Sequence, residues 1–108
     1  MSTSKRYLSE TEAPTRAELD ALRGLVLLEF GTAWCGYCRA AEPALAEVLS
    51  QQTNWRHVKI EDGPGRGLGR SYGVKLWPTV LVLRNGMEVT RLVRPTQVSA
   101  ISAAMNES

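Results

Sequence analysis

The feature that most constrains this chain is a pair of cysteines two residues apart, placed directly after an apolar run and before a helix-like segment. The motif is Trp34-Cys35-Gly36-Tyr37-Cys38, and it holds both cysteines of the 108-residue chain. At the first turn of a helix, this spacing lets two thiols close a small disulfide ring without unfolding the domain. Unpaired N–H groups and the helix dipole favour an anion at a helix start, so we expect the Cys35 thiol to ionise more readily than a free thiol.

These positions predict different roles for the two thiols. Cys35 would attack a disulfide, and Cys38, one turn into the helix and more shielded, would resolve the mixed disulfide that forms. Two structural alternatives are open. A zinc site needs two more ligands, and the chain offers no further cysteine and a single histidine, His57, so we expect no metal within one chain. A purely structural disulfide would close a loop too short to restrain much of the unfolded chain.

Length and composition set the class of protein. A chain of 108 residues predicts one domain, residues 1–108, in which residues 1–10 either form a short edge strand or stay loose. The 13 basic and 11 acidic side chains are too balanced to suggest nucleic acid or a membrane surface as a partner. No apolar run approaches the ~20 residues of a membrane span, and the first six residues lead into a polar segment, unlike a signal peptide. We therefore expect a cytoplasmic protein, in which a lone cysteine pair is more often redox-active than structural.

The order of predicted elements indicates an α/β fold. Strand, helix and strand in succession form a right-handed parallel crossover, and two later strands joined by Asn85-Gly86 form a hairpin that closes the sheet. Thr15 and Glu18 suggest a capping box for the first helix, and Thr96 is placed to cap the last one. The predicted elements are a helix ending near Gly24, strand 25–30, helix 35–50 with Pro43 inside it, strand 55–60, a mobile connector over 61–73 with a short helical turn, strands 79–83 and 87–93, and a helix after residue 96.

Together these motifs resemble the thioredoxin family over nearly the whole chain. The resemblance rests on the cysteine motif after a buried strand, Pro43 five residues after the second cysteine, Tyr72-Gly73-Val74 before Trp77-Pro78-Thr79, and the Asn85-Gly86 hairpin. It implies a thioredoxin fold with a central mixed sheet of four or five strands flanked by helices. It also implies that Pro78 is the family's cis-proline and that Trp77 beside it offers a backbone edge to the substrate.

The activity that the resemblance implies is dithiol-disulfide exchange with protein disulfides, with Cys35 as nucleophile and Cys38 as resolving thiol. The product is the oxidised Cys35–Cys38 pair, so no bound cofactor is needed, and electrons would return from an unidentified reductase or a small thiol. We expect a monomer that binds protein disulfides and neither nucleic acid nor a membrane. The residues implied in substrate binding are Trp34, Gly36, Tyr37, Trp77, Pro78 and Arg94.

A second implied pair lies inside the fold. Glu29, six residues before Cys35, takes the place of the family's buried aspartate, and Lys59 matches the lysine that accompanies that acid. A carboxyl group in an apolar strand should be hard to ionise, so Glu29 could exchange a proton with Cys38 during the second attack. The alternative is a purely structural pair of Glu29 with Lys59.

Three departures from the family pattern predict specialisation. Tyr37 replaces the proline common between the cysteines, which predicts a potential less reducing than that of a general thioredoxin, provided that the Cys35 thiolate stays as well stabilised. Gly31 stands where the family often has a tryptophan, so the site should be more open there. Arg94 replaces a glycine on the surface that receives the partner, so it should narrow the groove and favour clients with acidic flanks. The alternative is a solvated Arg94.

Three other functions fit the same sequence. The first is a disulfide oxidase or isomerase, which a measured reduction potential would separate from a reductant. The second is a non-catalytic adaptor that binds a partner in the groove beside Pro78 while the cysteines stay idle. The third is a metal site shared by the cysteine pairs of two chains, which predicts copurifying metal that is lost with Cys38→Ala.

Overall fold

A four-stranded mixed sheet with helices on both faces forms the framework of the protein. The computed structural model describes residues 6–107. Its elements are α1 (Arg16–Ala21), β1 (Leu25–Gly31), α2 (Gly36–Ser50), β2 (Trp55–Glu61), α3 (Gly67–Ser71), β3 (Thr79–Arg84), β4 (Met87–Val93) and α4 (Val98–Asn106). The predicted order of elements and the α/β class are confirmed, and each strand limit lies within one residue of its predicted place.

The strands lie in the order β2-β1-β3-β4. β1 pairs in parallel with β2, which places Glu29 opposite Lys59, and it pairs antiparallel with β3. β3 and β4 form the predicted hairpin. Its turn residues Asn85 and Gly86 have φ angles of 50° and 81°, the left-handed values that a tight turn between twisted strands needs.

Alternation along β1 sends its side chains into two separate cores. Val26, Leu28 and Phe30 pack on the face covered by α1, and Leu27 packs on the other face under α2 and α4. Because both faces are covered, β1 is an almost continuous apolar run, as the sequence predicts. Glu29 is the exception in this run, and the alternation places it on the α2 face.

The chain before α1 adds a short edge beside β2. Leu8 forms an isolated parallel bridge with Ile60, and its backbone N–H donates to the carbonyl oxygen of Lys59 at 2.8 Å. Leu8 packs on the α1 face of the sheet, so the preceding Tyr7 points to the α2 face, where its hydroxyl reaches Glu29. Residues 1–5 of the segment predicted to be an edge strand or loose lie outside the described residues.

The two expected helix caps have different outcomes. At α1, the Thr15 hydroxyl accepts from the backbone N–H of Glu18 and the Glu18 carboxylate accepts from the N–H of Thr15, which confirms the capping box. The expected cap at Thr96 is wrong. Gln97 still has extended backbone, with φ −108° and ψ 125°, so it takes the N-cap position and α4 begins one residue later than a Thr96 cap requires.

The helix that follows the cysteine motif, α2, has 15 residues and contains Pro43, as predicted. Its buried side chains, which include Ala41, Leu45 and Val48, face the sheet beside α4. Within residues 6–107, no helix combines the length and apolar character needed to cross a lipid bilayer.

The hairpin turn gives a test of this topology. A Cβ on Gly86 would lie 1.9 Å from the carbonyl oxygen of Asp20 in α1, at a φ of +81°. Gly24 has a similar φ of +87°, but nothing lies within 4 Å of its Cβ position. We expect Gly24→Ala to lower the free energy of unfolding by about 1–2 kcal/mol through backbone strain alone. Gly86→Ala should lower it further, because α1 must also shift, and equal losses in urea unfolding would contradict this contact.

Candidate active site

β1 delivers the cysteine motif to the start of α2. The strand ends at Gly31, and Cys35 takes the N-cap position of the helix with extended backbone, at φ −76° and ψ 123°. Its Sγ accepts a hydrogen bond from the backbone N–H of Cys38 at 3.3 Å. Both cysteines are free thiols. A backbone N–H at the helix start therefore points at the sulfur that the sequence predicts as the nucleophile.

The two thiols differ in their surroundings. Cys35 is 8% exposed and lies beside two exposed aromatic residues, Trp34 and Tyr37, whereas Cys38 is 3% exposed and faces the sheet at Gly31. Burial, and after it the hydrogen bond with Cys35, raises the pKa of the Cys38 thiol to about 11. Cys38 is therefore protonated at neutral pH, and it must lose a proton before it can attack.

The loop before β3 supplies a second wall of the site. The peptide bond between Trp77 and Pro78 is cis, as the family resemblance implies. The Trp77 ring meets the ring of Trp34 edge-on, with 5.8 Å between the centroids, and its indole N–H donates to Asp62 Oδ2 at 2.9 Å. These contacts hold Trp77 beside the cysteine motif. No sequence pattern indicates the role of Asp62, because Asp62 and Trp77 meet only in the folded chain.

Arg94, the residue after β4, bridges the loop before β3 and the start of α2. Its guanidinium lies 3.7 Å from the centroid of the Tyr37 ring, and its Nε donates to the Trp77 carbonyl oxygen at 2.9 Å. Its backbone N–H donates to the Pro78 carbonyl oxygen at 2.8 Å, at a φ of 54°. The alternative of a solvated Arg94 is wrong, because the side chain is held against both walls. The Trp77 carbonyl, part of the edge expected to receive a substrate, already accepts from Arg94.

Beneath the motif, Glu29 is buried and held by two partners that no sequence motif connects with it. The Tyr7 hydroxyl donates to Oε2, and Nε2 of His57 lies 2.8 Å from Oε1. Burial raises the pKa of Glu29, but His57, Tyr7 and the charge of Lys59 together outweigh burial, so this pKa lies below its usual value. The expectation that the carboxyl group is hard to ionise is therefore wrong, and Glu29 is a buried carboxylate.

Lys59 lies opposite Glu29 in the sheet, but its ammonium group pairs with a carboxylate on α2. Its Nζ is 3.4 Å from Glu42 Oε1 and 4.4 Å from the centroid of the Tyr7 ring. His57, two residues earlier on the same face of β2, contacts Glu29 directly. Lys59 acts on Glu29 through its charge, which lowers the pKa of the carboxyl group.

The space beside Gly31 is filled. A Cβ at this position would lie 2.6 Å from Cys38 Sγ and 2.9 Å from the Tyr7 hydroxyl. The expectation of a more open site here is wrong, because Tyr7 takes the room that a larger residue at position 31 would need. Tyr7 is a site residue that the sequence reasoning missed. Its one signal was an aromatic residue next to Leu8 in an otherwise polar segment.

Metal ligands form no cluster in the described part of the chain. Among residues 6–107, no group of three or more His, Cys, Asp or Glu side chains could hold a metal ion. A metal site shared by two chains, built from Cys35 and Cys38 of each, stays a prediction that copurification would test.

Three comparisons relate the chain to known proteins. The Thioredoxin family model matches residues 7–107. Thioredoxin-2 of Pyricularia oryzae is 32% identical over 93 residues, which cover 82% of this chain and 54% of that protein. Thioredoxin H2-1 of Oryza sativa subsp. japonica is 32% identical over 69 residues, 64% of this chain and 50% of that protein, so the chain spans about half the length of these two relatives. The solved structure of thioredoxin 2 from Pseudomonas aeruginosa PAO1 in its reduced form is 55% identical with a TM-score of 0.83, covering 96% of this chain and 94% of that one.

A methyl group at position 31 tests the packing under Cys38. We expect Gly31→Ala to displace Cys38 Sγ or the Tyr7 hydroxyl and to lower the free energy of unfolding by about 1–3 kcal/mol, as overpacking does. The control is Gly67→Ala on α3, where nothing lies within 4 Å of the Cβ position. Chemical denaturation of both variants checks the result. Equal stability of Gly31→Ala and the parent protein would contradict the close approach.

Proposed function

Because this chain belongs to the thioredoxin family, we propose that it is a thiol-disulfide oxidoreductase that reduces protein disulfides. The observation that carries the proposal is the placement of Cys35 at the start of α2, with the N–H of Cys38 aimed at its Sγ and Trp77 packed against the motif. Cys35 would attack the client, and Cys38 would resolve the complex. The dithiol supplies both electrons, so this reaction needs no bound cofactor.

The two steps make different demands on the site. In the first, Cys35 Sγ bonds to one client sulfur, and the other client sulfur leaves as a thiolate. In the second, Cys38 Sγ bonds to Cys35 Sγ, and the remaining client sulfur leaves with the electron pair. Because the pKa of Cys38 is about 11, the second step needs an acceptor for the thiol proton. Glu29 would be this acceptor, and the positive charge of Lys59 would keep it ionised.

The exposed surface around Cys35 would bind the client. Trp34 and Tyr37 are 72% and 58% exposed, which is unusual for large aromatic side chains and typical of a surface that meets a partner. An extended client segment could pair with the backbone at Trp77, as a strand pairs with a sheet edge. The proposed binding residues are Trp34, Gly36, Tyr37, Trp77, Pro78 and Arg94.

The reduction potential would separate a general reductant from an oxidase or isomerase. Tyr37 lies between the cysteines and stacks against Arg94, and we propose that the potential is less negative than the roughly −270 mV of a general thioredoxin. Electrons would return to the Cys35–Cys38 disulfide from a reductase or a small thiol. The family matches favour neither the oxidase nor the adaptor alternative.

Cysteine variants test the proposed activity. The parent protein should reduce the disulfides of insulin, and Cys35→Ser should abolish turnover because the first bond cannot form. Cys38→Ser should complete the first step and stay linked to its client, which non-reducing electrophoresis would detect. The equilibrium of the parent disulfide with glutathione gives its potential. A strongly oxidising potential, or a disulfide that forms but turns over nothing, would contradict the reductant role.

Arg94 should select clients by charge. Its guanidinium spans the groove between Tyr37 and Trp77, so a client has to move it or pair with it. We expect disulfide peptides with acidic flanks to react several-fold faster than peptides with lysine flanks. Arg94→Glu should reverse this preference, and salt should weaken it. Competition between the two peptides, followed by mass spectrometry, measures the ratio.

The matched control for this charge reversal is Arg23→Glu. Arg23 is exposed just before β1, at the end of that strand away from the cysteine motif. This variant changes the net charge of the chain equally and should keep the preference of the parent protein. If both variants shifted the ratio alike, the effect would come from overall charge, and Arg94 would not be the selecting residue.

A further inference from the structure

We propose that Tyr7 relays the proton between Cys38 and Glu29 during the second step of disulfide exchange. This inference rests on the proposed oxidoreductase function and adds to it a residue from the chain before α1. Tyr7 belongs to neither the cysteine motif nor the loop that carries Pro78. It reaches the resolving thiol from the segment beside β2, on the α2 face of the sheet.

The geometry places the Tyr7 hydroxyl between thiol and carboxylate. The O–H donates to Glu29 Oε2. The same hydroxyl oxygen and Cys38 Sγ lie 2.9 Å and 2.6 Å from one point, the position that a Cβ on Gly31 would occupy. The missing side chain of Gly31 thus leaves one space that both groups border. Both side chains also line the same cavity.

The backbone fixes the tyrosine in this place. Leu8 donates to the Lys59 carbonyl oxygen at 2.8 Å and accepts from the N–H of Glu61 at 2.9 Å, so the segment is tied to β2 on both sides of residue 8. The Lys59 ammonium lies 4.4 Å from the centroid of the Tyr7 ring and holds it from the α2 side. The backbone pairing therefore positions Tyr7, and its contacts with Glu29 and Lys59 hold the ring in the site.

A concerted transfer of two protons satisfies the chemistry of the step. Cys38 Sγ bonds to Cys35 Sγ, its S–H bond breaks, and the proton passes to the Tyr7 oxygen while the Tyr7 proton passes to Glu29 Oε2. The client sulfur leaves with the electron pair of the broken mixed disulfide. Tyr7 is a neutral phenol before and after. This matters because burial and the Glu29 charge raise the pKa of Tyr7 far above its usual value, so a tyrosinate would be costly.

Charged groups from three elements face the relay. Glu29 lies on β1, His57 and Lys59 on β2, and Glu42, which pairs with Lys59, on α2. A cavity of about 250 Å³ borders Tyr7 and Cys38, and its lining adds Arg6 and Arg39. Arg6 is itself paired with Glu12. The charge of Lys59, together with His57 and Tyr7, favours ionised Glu29, so the acceptor is ready at neutral pH. His57, whose side chain is 13% exposed, contacts the other oxygen of Glu29.

Tyr7→Phe tests the relay by removing only the hydroxyl. A chromogenic aryl disulfide reports both steps in stopped flow, since attack by Cys35 releases one coloured thiolate and resolution by Cys38 releases the second. We expect Tyr7→Phe to keep the first phase and to slow the second about a hundredfold, at the lower end of acid-base effects.

The control is Tyr72→Phe, which deletes the same atom elsewhere. The Tyr72 hydroxyl is buried without a hydrogen-bond partner among the described residues, so both phases should stay at parental rates. Glu29→Gln keeps an acceptor for the Tyr7 hydroxyl but cannot take the proton. If the two residues act in series, the double variant should be no slower than the slower single variant.

Several outcomes would overturn the relay. The relay is wrong if the second phase of Tyr7→Phe stays within twofold of the parent rate at every pH. It is also wrong if the double variant slows the second phase by the product of the factors measured for Tyr7→Phe and Glu29→Gln. The parent protein alone gives an independent check, should a variant fail to fold. Two protons in flight predict a curved dependence of the second-phase rate on the deuterium content of the solvent, and a straight line contradicts the relay. If the parent shows neither phase, the oxidoreductase function itself has failed.

Discussion

The arrangement of this protein depends on one carboxylate buried in its central strand. Glu29 lies on the α2 face of β1, where an ionised group without partners would cost several kcal/mol in lost hydration. Hydrogen bonds from two neighbouring segments offset this cost: the Tyr7 hydroxyl contacts one carboxylate oxygen of Glu29, and His57 contacts the other. The chain before α1 is therefore part of the site, because it carries one of the two groups that keep the carboxylate inside the protein.

The two thiols differ because one lies at the start of α2 and the other is buried against the sheet. Cys35 lies at the helix start, where a backbone N–H meets its sulfur, and it opens onto exposed aromatic side chains. Cys38 points inward to the Tyr7 and Glu29 pair, in surroundings that raise its pKa to about 11. One thiol is thus placed to meet a client, and the other to part with a proton inside the protein. The asymmetry follows from the helix position and from what lies under it.

Local patterns predicted most of the fold. The apolar run of β1, the capping box at Thr15, the Asn85-Gly86 turn and the cysteine spacing each act over a few residues, so the sequence shows them directly. The predicted N-cap of α4 is one residue too early, because Thr96 and Gln97 are both polar and only the backbone conformation distinguishes them. The family resemblance supplied the cis bond before Pro78, which no local pattern establishes.

What the sequence could not predict are contacts between side chains far apart in the chain. Tyr7 and His57 reach Glu29 across 22 and 28 residues, and neither belongs to a motif. Gly31 and Arg94 both depart from the family pattern, and their effect on the site depends on contacts with residues distant in sequence. Gly31 has no side chain, and the space beside it would be a void if Tyr7 did not fill it. The guanidinium of Arg94 would be exposed to solvent if it did not contact the Tyr37 ring and the Trp77 carbonyl oxygen. The structural role of each unusual residue therefore depends on a contact partner, and sequence patterns do not identify that partner.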